Sequence, residues 1–264
     1  MSESYINSIQ NIITKEEKIE NNAIYVIATP IGNLEDITIR AIKILNSVDF
    51  ILAEDTRVTI KLLNHYNIKK QIYSYHSHSS ESKTNEYIKQ IISGKSVALV
   101  SDAGTPCISD PGVGIIKKAI ENNIKVIPIG GISAFTTLLS ASGISGDTLF
   151  VGFLSNKKQK RKNQLSSLKE NEKNIIVLYE SVHRIVNCIE DINEIFGENT
   201  QIILGRELTK KFEQIIRNNA KNILDFFQNN NIILKGEYCI IIDNRVSKVC
   251  KTNAENVFKQ GVIL

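Results

Sequence analysis

No apolar run in this 264-residue chain approaches the eighteen or so residues that a membrane-spanning helix needs. The opening segment MSESYINSIQNIITKEEK places polar residues where a secretory signal would carry an apolar core, so a cytoplasmic location is expected. Cysteine is sparse. Cys107, Cys188, Cys239 and Cys250 form no CxxC pair and have no histidine pair nearby, which argues against a zinc site and a disulfide framework and for reduced thiols. No repeat of fixed period is visible. The glycine-bearing loop Thr29-Pro30-Ile31-Gly32-Asn33 matches neither GxGxxG nor a P-loop, so dinucleotide and nucleotide-triphosphate readings lose ground.

What is present is ordinary in bulk and informative in order. With 42% hydrophobic and 23% charged residues and a net charge of +4, the chain reads as a globular protein able to form two modest domains. Short β-branched runs alternate with segments of helical periodicity. Strands are predicted at 23–28, 49–53, 72–75, 97–101 and 125–129, with helices at 36–47, 61–66, 81–93, 113–122 and 133–142 between or after them. Such alternation implies crossover connections and a mostly parallel sheet. The glycine-rich ASGISGD at 141–147 reads as a domain boundary. Beyond it, strands are predicted at 148–153, 174–179, 201–204, 213–217 and 237–242, with helices at 160–170, 182–196 and 220–228. The expected organisation is a polar extension (1–22), two α/β domains (23–146 and 147–245) with mostly parallel or mixed sheets, and a tail (246–264).

The segment Val97–Gly112, VALVSDAGTPCISDPG, carries the strongest local signal. A buried strand ends in a tight polar loop and then opens a helix, and ligands of open α/β sheets sit just outside the carboxyl ends of strands. Four other loops follow apolar strands in the same way: TPIGN (29–33), AEDTR (53–57), GGISA (130–134) and YESVHR (179–184). Backbone amides in loops of this kind cradle anionic groups, and glycine lets a ligand approach the main chain. Asp110 before Pro111 reads as a helix N-cap. Asn33 and Asp36 either face a ligand or cap the helix that follows. Glu54 and Asp55, adjacent on an extended end, point to opposite faces, with Arg57 or Arg40 as ion-pair partners. His76 and His78 lack an acidic or thiol companion, which argues against a metal pair.

A basic run, Lys157-Lys158-Gln159-Lys160-Arg161-Lys162, packs five cations into six residues across a predicted helix start. Cations there oppose the helix dipole, so phosphate binding is the expected reason for the placement. Around Arg206, Glu207, Lys210 and Lys211, ion pairing and phosphate contact compete.

In order and spacing, YVIATPIGNLEDITIRA, AEDTRVTIKLLNHY, SYHSHS, LVSDAGTPCISDPG, SASGI, GFLSNKKQKR, YESVHRI, GRELTK and LKGEY resemble the ribosomal RNA small subunit methyltransferase I family, part of the tetrapyrrole-methylase-like superfamily. The resemblance covers residues 23–243. It implies S-adenosylmethionine as methyl donor, no metal, and a cofactor cleft between two domains. It also implies ribose 2′-O-methylation of cytidine 1402 in the decoding centre of 16S rRNA, with the assembled small subunit as partner. A homodimer is expected, since one chain is short for holding a large folded RNA. Two departures stand out: Gly130-Gly131-Ile132-Ser133 where the family commonly has Pro-Gly-Pro-Ser, and Ser181-Val182 where it commonly has Ala/Ser-Pro.

On that basis the cofactor residues are expected to be Pro30, Gly32, Asp102, Gly104, Thr105, Ser133, Ala134 and Tyr179. Candidates for the base that takes the hydroxyl proton are Glu54, His76, Glu180 and Glu207. RNA contacts are expected at Lys157, Lys158, Lys160, Arg161, Lys162 and Lys210. The competing readings are a superfamily methyltransferase acting on a tetrapyrrole or a protein, and a non-catalytic ribosome-assembly factor.

Overall fold

A computed structural model describes residues 18–170, 174–229 and 236–245. The tail from Val246, Cys250 within it, and most of the N-terminal extension lie outside these residues. Two compact units divide at Ser133/Ala134. The glycine-rich 141–147 segment pointed to a later boundary, but the helix before it belongs with the second unit. Leu138 of that helix is fully buried, and a Cβ added to Gly205 of the second sheet would lie 2.7 Å from its Cδ1.

The N-terminal unit holds five parallel strands: β1 (Ala23–Ile27), β2 (Phe50–Ala53), β3 (Gln71–Ser74), β4 (Val97–Val100) and β5 (Lys125–Ile129), in the order β3-β2-β4-β1-β5. The inner strands β2 and β4 read FILA and VALV and are buried throughout, as a parallel sheet covered on both faces requires. Pro128 sits in β5, an edge strand, where its missing N–H costs no ladder bond. Four helices make the crossovers: α1 (Ile39–Ser47), α2 (Thr56–His65), α3 (Glu81–Ile92) and α4 (Val113–Glu121). One face of the sheet packs Ile27, Ile51 and Val100 with Ile42 and Leu45 of α1 and Leu62 of α2. The other packs Ile24, Leu52 and Leu99 with Ile88 of α3 and Ile115 of α4.

Helix starts follow local chemistry. Thr38, Asp55 and Ser80 accept backbone N–H bonds from Ala41, Arg57 and Lys83, capping α1, α2 and α3. The segment predicted as one helix over 36–47 is two: a 3-10 turn at Leu34–Asp36, capped by Asn33, and then α1 from its own Thr38 cap. Asp110 is not the cap of α4. Gly112 holds that position at φ 127, which only glycine adopts readily, and a Cβ there would lie 2.8 Å from Leu99 Cδ2 and 2.9 Å from Cys107 Sγ.

The C-terminal unit begins with α5 (Ala134–Ser140). It continues as β6 (Thr148–Phe153), α6 (Lys158–Lys169), β7 (Ile175–Ser181), α7 (Ile185–Phe196), β8 (Gln201–Arg206), β9 (Gln214–Asn219), α8 (Ala220–Asn229) and β10 (Glu237–Asp243). The sheet order is β6-β7-β10-β8-β9. Only β6 and β7 are parallel; β10 lies antiparallel between β7 and β8, and β9 antiparallel beside β8. Leu165 of α6, Ile189 and Ile192 of α7 and Ile223 of α8 pack on Ile176, Leu178, Ile202 and Ile240 of this sheet. Cys188 and Cys239 are buried free thiols, and burial pushes both up to about 12.

Candidate functional site

In the N-terminal unit the carboxyl ends of β1, β2, β4 and β5 carry six of the eight expected cofactor residues, together with Glu54. Thr29 and Gly104 exchange two backbone hydrogen bonds (N–H to O distances 2.8 and 2.9 Å), and the Thr29 hydroxyl donates to the Ser101 carbonyl at 3.0 Å. This bridge ties TPIGN to SDAGTP immediately past the sheet. It needs Gly104, whose φ is 81. Pro30 is buried beneath it, while Gly32 and Asn33 are exposed.

The loop after β5 closes on the same place. A Cβ added to Gly131 would lie 2.8 Å from Ala28 Cβ, so the main chain at 131 runs directly against the end of β1. The Ala28 N–H donates to the Ile129 carbonyl at 3.4 Å, and the Thr105 hydroxyl reaches the Ile132 carbonyl at 3.5 Å. Three loops therefore present main chain side by side. The SDAGTP loop carries two further left-handed residues, Cys107 (φ 69) and Ser109 (φ 66), that bend it back toward α4.

Glu54 and Asp102 brace β2 against β4. The Asp55 N–H donates to Asp102 Oδ1 at 2.9 Å, and the Asp102 N–H donates to Glu54 Oε2 at 3.3 Å. Burial raises the pKa of Asp102. It also raises that of Glu54, where the Asp102 amide and His76 offset it and the Asp102 and Asp55 carboxylates add to it. Asp55 turns the other way, as adjacent residues on an extended end do. It caps α2 and chelates Arg57 (2.5 Å from Nη2 to Oδ2), whose guanidinium holds the Asp55 carboxyl down at about 2. His76 and His78 are exposed, and His76 Nδ1 accepts the His78 N–H at 3.2 Å.

The sequence of the N-terminal unit matches, with that of most of the second unit, the model of the Tetrapyrrole (Corrin/Porphyrin) Methylases over residues 23–224. Ribosomal RNA small subunit methyltransferase I of Haemophilus influenzae is 42% identical over 84% of this chain and 78% of that protein. The protein of the same name from Bacillus subtilis is 42% identical over 86% and 76%. The chain belongs to the ribosomal RNA small subunit methyltransferase I family. Its fold is also that of uroporphyrin-III-C-methyltransferase from Thermus thermophilus, with a TM-score of 0.60 at 16% identity over 85% of this chain and 95% of that one.

In this methyltransferase I family member the two departures from the common pattern have visible settings. Gly130 faces open space, whereas Gly131 has no room for a side chain beside Ala28. In the second unit Glu180 of YESVHR is buried. Its Oε1 meets Arg184 Nη2 at 2.7 Å and accepts the Ser181 N–H at 2.7 Å, while Oε2 has no hydrogen-bond partner among the described residues. Arg184 also reaches the Ser181 hydroxyl and the Leu154 carbonyl, so this pair fastens the end of β7 to the end of β6. Tyr179 accepts the Phe135 N–H at 3.1 Å, close to Ala134, and Ser133 closes the first unit.

The basic run divides. Arg161, expected to contact RNA, is buried: its Nε and Nη2 both donate to Asp191 Oδ2 at 2.7 Å, and Asp191 is buried with it. Lys162 pairs with Glu194 at 2.5 Å. Both therefore clamp α6 onto α7, and Lys157, Lys158 and Lys160 remain exposed at the helix start. Lys210 is likewise committed, to Glu207 at 2.9 Å and Glu237 at 3.0 Å. Burial works to raise the Glu207 pKa, but Lys210 and the Glu237 N–H outweigh it and hold the group below its usual range. Sequence reasoning missed the acidic partners Asp191 and Glu194, which lie one helix away. The helical spacing of acids along α7 was the available signal.

Proposed function

We propose that this chain transfers a methyl group from S-adenosylmethionine to a ribose 2′-oxygen of a cytidine in small-subunit rRNA. The observation that carries this reading is the bridge between Thr29 and Gly104, with the Gly131 loop beside it. It leaves main-chain amides and the Asp102 carboxylate gathered at the strand ends, where an α/β sheet binds ligands. Those groups suit a small zwitterion with ribose hydroxyls: carboxylate and carbonyl oxygens for its donors, loop amides for its acceptors. Gly32, Asp102, Gly104, Thr105 and Ser133 would hold the donor against Pro30, and Ala134 and Tyr179 belong to the same reading. When bound, S-adenosylmethionine supplies an electrophilic methyl group already attached to a good leaving group.

The protein's task is then to hold the hydroxyl about 3 Å from that carbon and in line with the breaking bond. It must also receive the hydroxyl proton as the new bond forms. Among the four acceptors considered, Glu180 is occupied by Arg184 and Glu207 by Lys210. Glu54 is half-buried at the end of β2 and burial raises its pKa, the direction a base needs, whereas His76 Nδ1 already accepts the His78 N–H. The exposed Lys157, Lys158 and Lys160 favour a polyanionic substrate over a tetrapyrrole. The acting species in this reading is a cytoplasmic homodimer on the assembled small subunit.

Ribose-methylation mapping of small-subunit rRNA from cells with and without the protein tests this directly. The expected result is one cytidine that loses its 2′-O-methyl group when the protein is absent. An unchanged map, or no calorimetric binding of S-adenosylmethionine by the purified protein, overturns the reading.

A further inference from the structure

We propose that the β8–β9 loop of the C-terminal unit is a docking surface for a single-stranded segment of the RNA substrate. In this proposal Phe212 stacks on a base and Lys211 meets the adjoining phosphate. It rests on the RNA-methyltransferase reading above.

The loop is built to be stiff. Glu207 (φ 50) and Thr209 (φ 64) both adopt the left-handed conformation that non-glycine residues disfavour. A set of staples keeps them there. Glu207 N–H donates to the Glu237 carbonyl at 3.1 Å, and Glu237 N–H donates to Glu207 Oε1 at 3.0 Å. Lys210 Nζ bridges the Glu207 and Glu237 carboxylates, and Thr209 N–H donates to Glu213 Oε2 at 2.6 Å. Every acid of the loop is thus used to hold its shape.

Two side chains are left outside that frame. Phe212 is 67% exposed, more than any other large hydrophobic residue described, and the Lys211 ammonium stands 5.6 Å from its ring centroid. Among the described residues no carboxylate pairs with Lys211. A stiff loop that keeps a phenyl ring in water forgoes burial, yet loses little entropy when something stacks on it. An aromatic face beside an uncommitted cation is the composition that binds single-stranded RNA, because every base offers a π face and every linkage a phosphate.

Strand directions place the loop among other candidate contacts of the same unit. The carboxyl ends of β6, β7 and β8 and the amino ends of β9 and β10 lie at one end of the sheet. That end carries Phe153, 51% exposed, and the turn leading to Lys157 on one edge, and Phe212 on the other. Five strands put the edges about 19 Å apart, the span of a few nucleotides. A second copy of the chain fits the loop less well, since an isologous contact centred on Phe212 would bring two Lys211 ammoniums together.

The test is fluorescence-anisotropy titration of a labelled, short single-stranded oligoribonucleotide with the full chain and its variants across a salt series. Phe212→Ala is expected to weaken binding about tenfold with an unchanged salt slope, and Phe212→Tyr to restore it. Lys211→Ser is expected to flatten the salt slope by about 0.7. Equal affinity of Phe212→Ala and wild type overturns the proposal, as does a change in sedimentation alone, which would mark a protein interface. Failure of the methyltransferase reading shows separately, as absent S-adenosylmethionine binding in the wild type.

Discussion

Arg161 donates from Nε and Nη2 to one carboxylate oxygen of Asp191, each at 2.7 Å, with both side chains buried. A cation within a run that looks nucleic-acid-binding is therefore a clamp between α6 and α7. Removing one member of a buried pair strands the other charge without solvent, which costs about 3–5 kcal/mol. Arg161→Ser is expected to lower unfolding free energy by that amount in urea titration. The double variant Arg161→Met, Asp191→Leu is expected to recover most of it. Equal stability of Arg161→Ser and wild type would remove the clamp.

The exposed cations separate cleanly from that role. Replacing Lys157, Lys158 and Lys160 together by Ser is expected to leave the unfolding curve in place and to weaken small-subunit binding. With about 0.7 counterions released per contact on single strands, the slope of log affinity against log salt is expected to fall by about 2. A slope equal to wild type would make these lysines a solvated face only.

Much of the N-terminal unit was legible because parallel strands covered on both faces must be continuous apolar runs; FILA and VALV admit no other placement. Loop positions at strand ends followed from the same runs, which is why TPIGN, AEDTR and SDAGTP converge as expected. The insertion of β10 between β7 and β8 was not legible, since YCIII is equally apolar beside any neighbour. Arg161 was misread for a related reason: its partner is distant in sequence, and charge alone does not report burial. Asp110 failed as a cap because α4 starts at Val113 from Gly112, two residues further on, where crowding by Leu99 and Cys107 and a φ of 127 leave room for glycine alone.

Asp102 braces β2 against β4, and the proposed function adds a cofactor contact that substitution can split from the brace. Asp102→Asn keeps an oxygen for the Asp55 N–H but loses the charge. It is expected to fold normally and to bind S-adenosylmethionine about tenfold more weakly, the loss of one charge-assisted hydrogen bond. Asp102→Ala is expected to lose the brace as well, lowering stability by about 1 kcal/mol. Calorimetry and urea titration on both variants separate the two; an unchanged Kd in Asp102→Asn would confine Asp102 to the brace.

The Asp55–Arg57 pair sets an acid dependence. Arg57 holds the Asp55 carboxyl at about 2, against 3.8 for an unperturbed group, so the folded state binds fewer protons than the unfolded state between these values. The pair's contribution is therefore present above about pH 4 and lost as pH falls toward 2. Arg57→Ala is expected to be less stable than wild type at neutral pH, with the difference closing through that window. A difference that persists at the acid end would assign the effect of Arg57 to helix α2 rather than to the carboxylate.

Gly130 and Gly131 are neighbours with opposite expectations. A methyl group at 130 meets nothing within 4 Å, whereas one at 131 would lie 2.8 Å from Ala28 Cβ. Ala28 is buried at the end of β1 and the Thr29–Gly104 bridge follows it, so the strand end cannot yield without loosening the loops. Gly130→Ala is expected to change stability by less than about 0.5 kcal/mol. Gly131→Ala is expected to cost about 1–3 kcal/mol, the price of overpacking, and to weaken S-adenosylmethionine binding along with it. Urea titration paired with calorimetry reads both quantities. Equal behaviour of the two variants would mean that the loop after β5 is free to move away from β1, and with it the close main-chain packing on which the proposed cofactor site depends.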